Sequence, residues 1–419
     1  MFITKVVSSY SGMPKEAKYL TLASVMPSLA YGLLYTDISY FLTFVQGVPA
    51  EFMGIVIAVM GVATFVASMF LGVAADIYGR KNMLIIGNVL ASVTLSVFAI
   101  TTNPLLLLAA AILQGISEAA ILASSSALLA EKVDNEKRNS AFSLYSFAQS
   151  FAFGVGGFVI SAVLVFEHVG FTEAESHIIL YVLVSVTSLA STILMLKVKE
   201  SKRPKKTKTT ISDLLPTKSR DVLIKYIITG AIVAFGAGLV VPLMTYWFSV
   251  RYGISDKISG PLVAVSSLLI AFATLVAPVL AKKFGLIKAI VITQTVSTVF
   301  MFATPIPASF AWAGVVYSIR ALLMNMSSPL SQSMIMGLVA EDERGAASGI
   351  SGALWRLPNA LSTGAGAWLM GIGLLHEPFY LAGVLYIVSI ALFWIYFRKV
   401  RMPEEEPLAV RTRPKLALK

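Results

Sequence analysis

The chain has 419 residues, of which 57% are hydrophobic and only 13% charged, with three histidines and no cysteine. Soluble domains carry roughly 25% charged residues, so a soluble enzyme, a nucleic-acid-binding domain and a disordered chain are excluded together. Without cysteine there is no disulfide, thiolate zinc site or cysteine nucleophile, and the net charge of +11 must be explained by where the cations lie.

A membrane-spanning helix needs about 20 mostly apolar residues. In chain order the apolar runs are 19–46, 51–75, 82–102, 105–130, 140–166 and 177–196, then 225–250, 258–281, 286–304, 308–339, 346–372 and 379–397. They are too long and continuous for barrel strands, and each must satisfy its own backbone hydrogen bonds, which calls for helices. The first run follows a short basic segment and reads as a retained span, not a cleaved signal. The fold class is therefore all-α integral membrane with twelve transmembrane helices. Residues 1–196 form one six-helix bundle, 197–224 a basic linker, 225–398 a second bundle and 399–419 a tail.

Placing both termini and every second loop on one side puts 29 of the 33 lysines and arginines there. Arg251 and Lys257 fall on the other side, and Arg320 and Arg356 inside spans. The excess marks the basic side, and with it both termini, as cytoplasmic. It accounts for the charge through anionic lipid headgroups, with no nucleic acid needed.

An offset of 206 residues pairs Tyr40 with Tyr246, Gly47 with Gly253, Gly54 with Gly260, Gly79 with Gly285 and Arg138 with Arg344. One register held across several loops indicates two parallel six-helix repeats. Secondary transporters of this organisation hold their substrate at the midplane between the repeats.

Between spans two and three lies GVAADIYGRKNM (72–83), which resembles the loop signature of the major facilitator superfamily at Gly72, Asp76, Gly79, Arg80 and Lys81. With the twelve spans, the basic mid-loop and the repeat, the resemblance covers essentially the whole chain. It implies a cytoplasmic gate built from these five residues together with Arg138 and Arg344, which follow acidic clusters. The repeat copy carries Lys282 where the first has Asp76, so the gate is expected to be asymmetric. Two features frequent in the family's drug–proton antiporters are absent. Ala111 stands where an arginine often precedes the span-four glycine, and GVGG (154–157) lacks a proline.

Ionisable residues in mid-membrane are costly and are functional candidates by default. Glu118, near the middle of span four and sharing a polar face with Gln114, is the leading proton-coupling candidate; the alternative is a structural acid paired to an arginine. Asp37 in span one is a second proton or cation site, or else a hydrated acid in the outer vestibule. Arg320 is an anion ligand or the partner of Glu118, and Arg356 an anion ligand or a structural group. Gln149, Asn325, Asn359, Tyr35, Tyr246 and Trp355 complete the substrate-cavity candidates, the aromatics having packing or interfacial anchoring as their other reading.

These features predict a secondary active transporter of a small organic solute working by alternating access. It is expected to be proton-coupled and to act in multidrug-type efflux. The alternative is an organic anion or metabolite carrier using Arg320 and Arg356, which the missing antiporter features favour. No phosphate-cradling loop, metal-ligand spacing or catalytic triad is present, so neither enzymatic activity nor a cofactor or metal is expected. The expected setting is the plasma membrane of a prokaryote, as a monomer.

Overall fold

The computed structural model describes residues 14–133, 135–199, 218–340 and 344–400, and there is no strand among them. Linker residues 200–217 and tail residues 401–419 lie outside the described residues. The first half contains α1 (Lys15–Tyr40, continued by a π-turn over Phe41–Val45), α2 (Ala50–Tyr78), α3 (Arg80–Ile100), α4 (Pro104–Glu131), α5 (Asn135–Val159) and α6 (Glu173–Thr192). α5 is prolonged through Ile160–Ala162 and Val163–His168. The second half contains α7 (Arg220–Gly238, resumed as Met244–Tyr252), α8 (Asp256–Phe284), α9 (Leu286–Ala303), α10 (Phe310–Leu338), α11 (Arg344–Gly371) and α12 (Glu377–Phe397). Eight helical segments are long and apolar enough to cross a membrane, counted over the described residues by length and composition. The side on which α1 begins and α12 ends is called the terminal face below, and the opposite side the far face.

Local sequence chemistry sets the helix ends. Asn103 caps α4 by accepting the Leu105 and Leu106 N–H groups, with Pro104 in the first helical position. A reciprocal Thr172–Glu175 capping box starts α6. Gly79 alone separates α2 from α3 at φ +97°, and Gly285 alone separates α8 from α9 at φ +84°. Glycine reaches that region without the clash a Cβ brings.

The repeat expected from the sequence is present in the backbone. α2 and α8 coincide at both ends under the 206-residue offset, and Gly47 and Gly253 both take left-handed conformations. Ser39 and Thr245, themselves 206 residues apart, hydrogen-bond to each other at 2.9 Å. Two equivalent residues touch only beside the axis that relates them. The pseudo-twofold axis therefore passes between α1 and the second part of α7 toward the far face.

Across the interface of the halves, α2 packs along α11 and α5 along α8. At Gly54 a Cβ would lie 2.5 Å from that of Ala367, and at its repeat partner Gly260 one would lie 2.8 Å from Ile160 Cδ1. Small residues allow this approach, and van der Waals contact drives helix association in lipid. Phe41, Trp247, Phe248 and Phe379 form a buried aromatic layer toward the far face. Phe70, Ile77, Leu105, Trp312 and Ile395 are exposed on the flanks, where lipid chains replace water as the neighbouring solvent. An apolar groove of about 590 Å³ on α9 and α12 shares no lining residue with the polar cluster described next.

A candidate functional site between the two bundles

α4 reaches α2 at Gly115, where a Cβ would sit 2.4 Å from the Met60 carbonyl oxygen. This approach brings Glu118, about one turn further along, into contact with three other helices. Its Oε1 is ion-paired with the Arg356 guanidinium of α11. Its Oε2 accepts from Tyr35 of α1 at 2.7 Å and from Thr64 of α2 at 3.2 Å. Tyr31 stacks on Tyr35 with ring centroids 6.0 Å apart, and its hydroxyl meets Ser117 at 3.3 Å. The Glu118 side chain is 13% exposed and that of Arg356 31%, so the arginine is the more open partner. The pair joins the two halves, and hydroxyl groups from α1 and α2 surround its carboxylate.

The other candidates separate into distinct places. Gln114 is buried and accepts from Thr94 of α3, inside the first bundle. Arg320, its repeat equivalent, is 3% exposed inside the second bundle, with its guanidinium 5.0 Å from the Tyr317 ring centroid. Arg320 therefore does not meet Glu118, whose arginine is Arg356. Asn359 donates to the Ala234 carbonyl at 3.1 Å and ties α11 to α7. Asn325 donates back to Ala321 in its own helix, and Gln149 donates to Tyr145 at 3.1 Å inside the first bundle. Trp355 is exposed, while Tyr246 is buried against Phe44 of the opposite half.

Asp37 belongs to a second polar cluster toward the far face. It is fully buried, contrary to the vestibule alternative, and accepts from Tyr181 of α6 at 2.9 Å. Beside it, His177 of α6 pairs with Asp256 of α8 at 2.7 Å. Lys257 of α8 pairs with Glu167 and, at 3.1 Å, with Glu173 of the first half. The His177–Asp256 and Lys257 pairs, with Ser39–Thr245 on the axis, join the halves on the far face.

Sequence reasoning passed over Tyr31, Thr64, His177, Tyr181 and Asp256. His177 opens the sixth apolar run and Asp256 lies two residues before the eighth, positions where a polar side chain is ordinary. One usable signal was the i, i+4 spacing of His177 and Tyr181, which places two polar groups on one face of an otherwise apolar helix.

On the terminal face Arg80 bonds to Glu131 of its own half at 2.8 Å, and Lys81 donates to the Leu196 carbonyl at 2.9 Å. Gly79 forms the expected sharp turn. The side chains of Asp76, Arg138 and Arg344, with position Gly72, lie outside the described set.

The family model described as Major Facilitator Superfamily matches residues 20–363 and again 227–419. Multidrug resistance protein 2 of Bacillus subtilis (strain 168) is 22% identical over 355 residues, covering 83% of this chain and 86% of that protein. Among solved structures, the inward-facing, unoccupied bacterial homologue of the human lysosomal transporter Spinster aligns with a TM-score of 0.74. It has 12% identity, and the alignment covers 91% of this chain and 96% of that one. The nucleoside transporter NupG aligns with a TM-score of 0.72 at 13% identity over 92% of this chain and all of that one. At such identities the solved structures speak for the fold, while the family model extends over most of the sequence. The chain belongs to the Major Facilitator Superfamily and is a multi-pass membrane transporter.

Proposed function

We propose that this transporter moves a small organic solute by proton-coupled alternating access, with efflux of amphiphilic compounds as its task. One observation carries the reading: the Glu118–Arg356 ion pair joins α4 of one half to α11 of the other amid tyrosine and threonine hydroxyls. A charge pair inside the membrane is expensive to build and is rarely kept without a functional reason. A solute or a proton that competes for either partner loosens the join and lets the halves rock. The tyrosines offer faces for flat or cationic solutes, and the multidrug name of the Bacillus relative supports the amphiphile class. The transporter then works as a monomer in the plasma membrane, termini in the cytoplasm.

A second reading rests on the openness of Arg356. Its guanidinium can give up Glu118 for a carboxylate or phosphate of an anionic metabolite. Arg320, inside the second bundle, is less suited to meeting a solute between the halves.

Purified protein in liposomes with an internal pH dye separates the readings. A panel of lipophilic cations, organic anions and sugars is added to wild type and Glu118→Gln. A pH change that follows lipophilic cations and disappears in the variant supports the first reading. Anion movement lost in Arg356→Ala but kept in Glu118→Gln supports the second. Solute movement without any pH change, equal in wild type and Glu118→Gln, contradicts the Glu118 coupling role.

A further inference from the structure

Asp37, His177 and Asp256 converge from α1, α6 and α8, and each offers a ligand atom within 4.8 Å of the others. None of the three side chains reaches solvent. Their proton inventory is constrained. His177 Nδ1 faces the Glu173 carbonyl oxygen at 2.8 Å, and a carbonyl only accepts, so Nδ1 carries a hydrogen. The 2.7 Å contact between His177 Nε2 and Asp256 Oδ2 needs a hydrogen of its own. Tyr181 supplies one more donor, to Asp37 Oδ2. Asp37 Oδ1 and Asp256 Oδ1 are left buried with no hydrogen-bond donor.

Charge makes the same point. An imidazolium beside two carboxylates leaves one uncompensated negative charge in a site closed to water. The groups on the surrounding elements do not supply the missing cation. Lys257 is engaged by Glu167 and Glu173, Tyr40 donates to Glu173 at 3.4 Å, and Tyr181 is neutral. Buried charge without a counter-charge is among the most expensive arrangements in a protein. One added proton on either orphaned carboxylate oxygen removes it. Because Asp256 belongs to one half and Asp37 and His177 to the other, opening the far face takes the cluster apart. The closed and open forms then differ in the number of protons they hold.

We propose that Asp37, His177 and Asp256 form a proton-binding site that seals the far face, closed when an added proton occupies the cluster and opening when that proton leaves. This deepens the proton-coupled reading given above, on which it rests for its role in transport. The seal itself is measurable without a solute, so its failure and the failure of the transport reading are distinguishable.

The test uses the full chain in lipid nanodiscs, whose lack of native cysteine permits clean labelling. Spin labels are attached at Val169→Cys, in the turn after α5, and Ile306→Cys, in the turn after α9; both positions are exposed. Pulsed electron resonance then reads the distance between the halves from about pH 4 to 9, where carboxylates and imidazoles titrate. In wild type the short distance dominates at low pH. The ratio of long to short distances rises with pH, at its steepest by up to about tenfold per pH unit, the limit for one linked proton. Asp256→Asn and Asp37→Asn, which mimic the protonated acids, remain short throughout. Two separate variants guard against one that fails to fold, and the wild-type profile stands without either. A distance that ignores pH in wild type overturns the proposal, as do variants that keep the wild-type profile. A shift that requires added Zn²⁺ and vanishes with a chelator marks a metal site and also overturns it.

Discussion

Arg356 and Glu118 hold each other across the boundary between the two halves, and their neighbours set the cost of parting them. Removing the guanidinium leaves a mostly buried carboxylate with only the hydroxyls of Tyr35 and Thr64. Full burial of such an orphan costs about 3–5 kcal/mol; partial exposure of Arg356 reduces this to about 1–3 kcal/mol. Thermal unfolding in detergent should therefore show Arg356→Ala clearly destabilised, with Glu118→Gln combined with Arg356→Gln losing less than the sum of the single changes. Additive losses would mean that the pair is not coupled. Glu118 stood out as a candidate in the sequence, because an acid near the centre of an apolar run has few explanations. Its partner was not legible there. The repeat offset sets Arg320 opposite Gln114, but symmetry maps interior to interior, and both side chains point into their own bundles. The pattern along a helix does not fix the helix's rotation against neighbours hundreds of residues away.

At the level of helices, the close approaches of α2 to α11 and of α5 to α8 depend on Gly54 and Gly260. Gly54→Leu forces a side chain into the space held by Ala367 and Gly364. Overpacking of this kind costs about 1–3 kcal/mol, and here it acts on the interface and not on one bundle alone. The expected outcome is a lower unfolding temperature together with a larger loss of transport than of expression, measured on the same membranes. Unchanged transport would remove the α2–α11 contact from the account. The twelve apolar runs did predict the helices, and the 206-residue repeat pairs these two glycines in the sequence itself. The ends were less legible. The fifth run was expected over 140–166, yet α5 begins at Asn135 and its prolongation ends at His168. Charged residues such as Lys137 and Arg138 end a hydrophobic span without ending a helix, since backbone hydrogen bonding continues past the lipid boundary. Asp256, two residues before the apolar run that begins at 258, lies in the first turn of α8 for the same reason.

At the scale of the whole molecule, charge and symmetry make separate predictions. The concentration of lysine and arginine on the terminal side predicts a cytoplasmic C-terminus. A C-terminal fluorescent fusion should be bright in bacterial cells and an alkaline phosphatase fusion at the same position inactive; the reverse pattern would invert the topology. Symmetry predicts the motion: the two bundles, whose symmetry axis emerges between Ser39 and Thr245, are expected to rock against each other about a line in the membrane plane, so that the far face, closed in this structure, parts during transport. The most direct measurement replaces those two residues with a cysteine pair in a chain that has no other cysteine. Transport of the solute identified in the liposome panel is then followed before oxidation, after oxidation and after reduction. The account predicts that the cross-linked protein stops transporting and that reductant restores it. Full transport by protein shown to be cross-linked would contradict a cycle in which the far face parts.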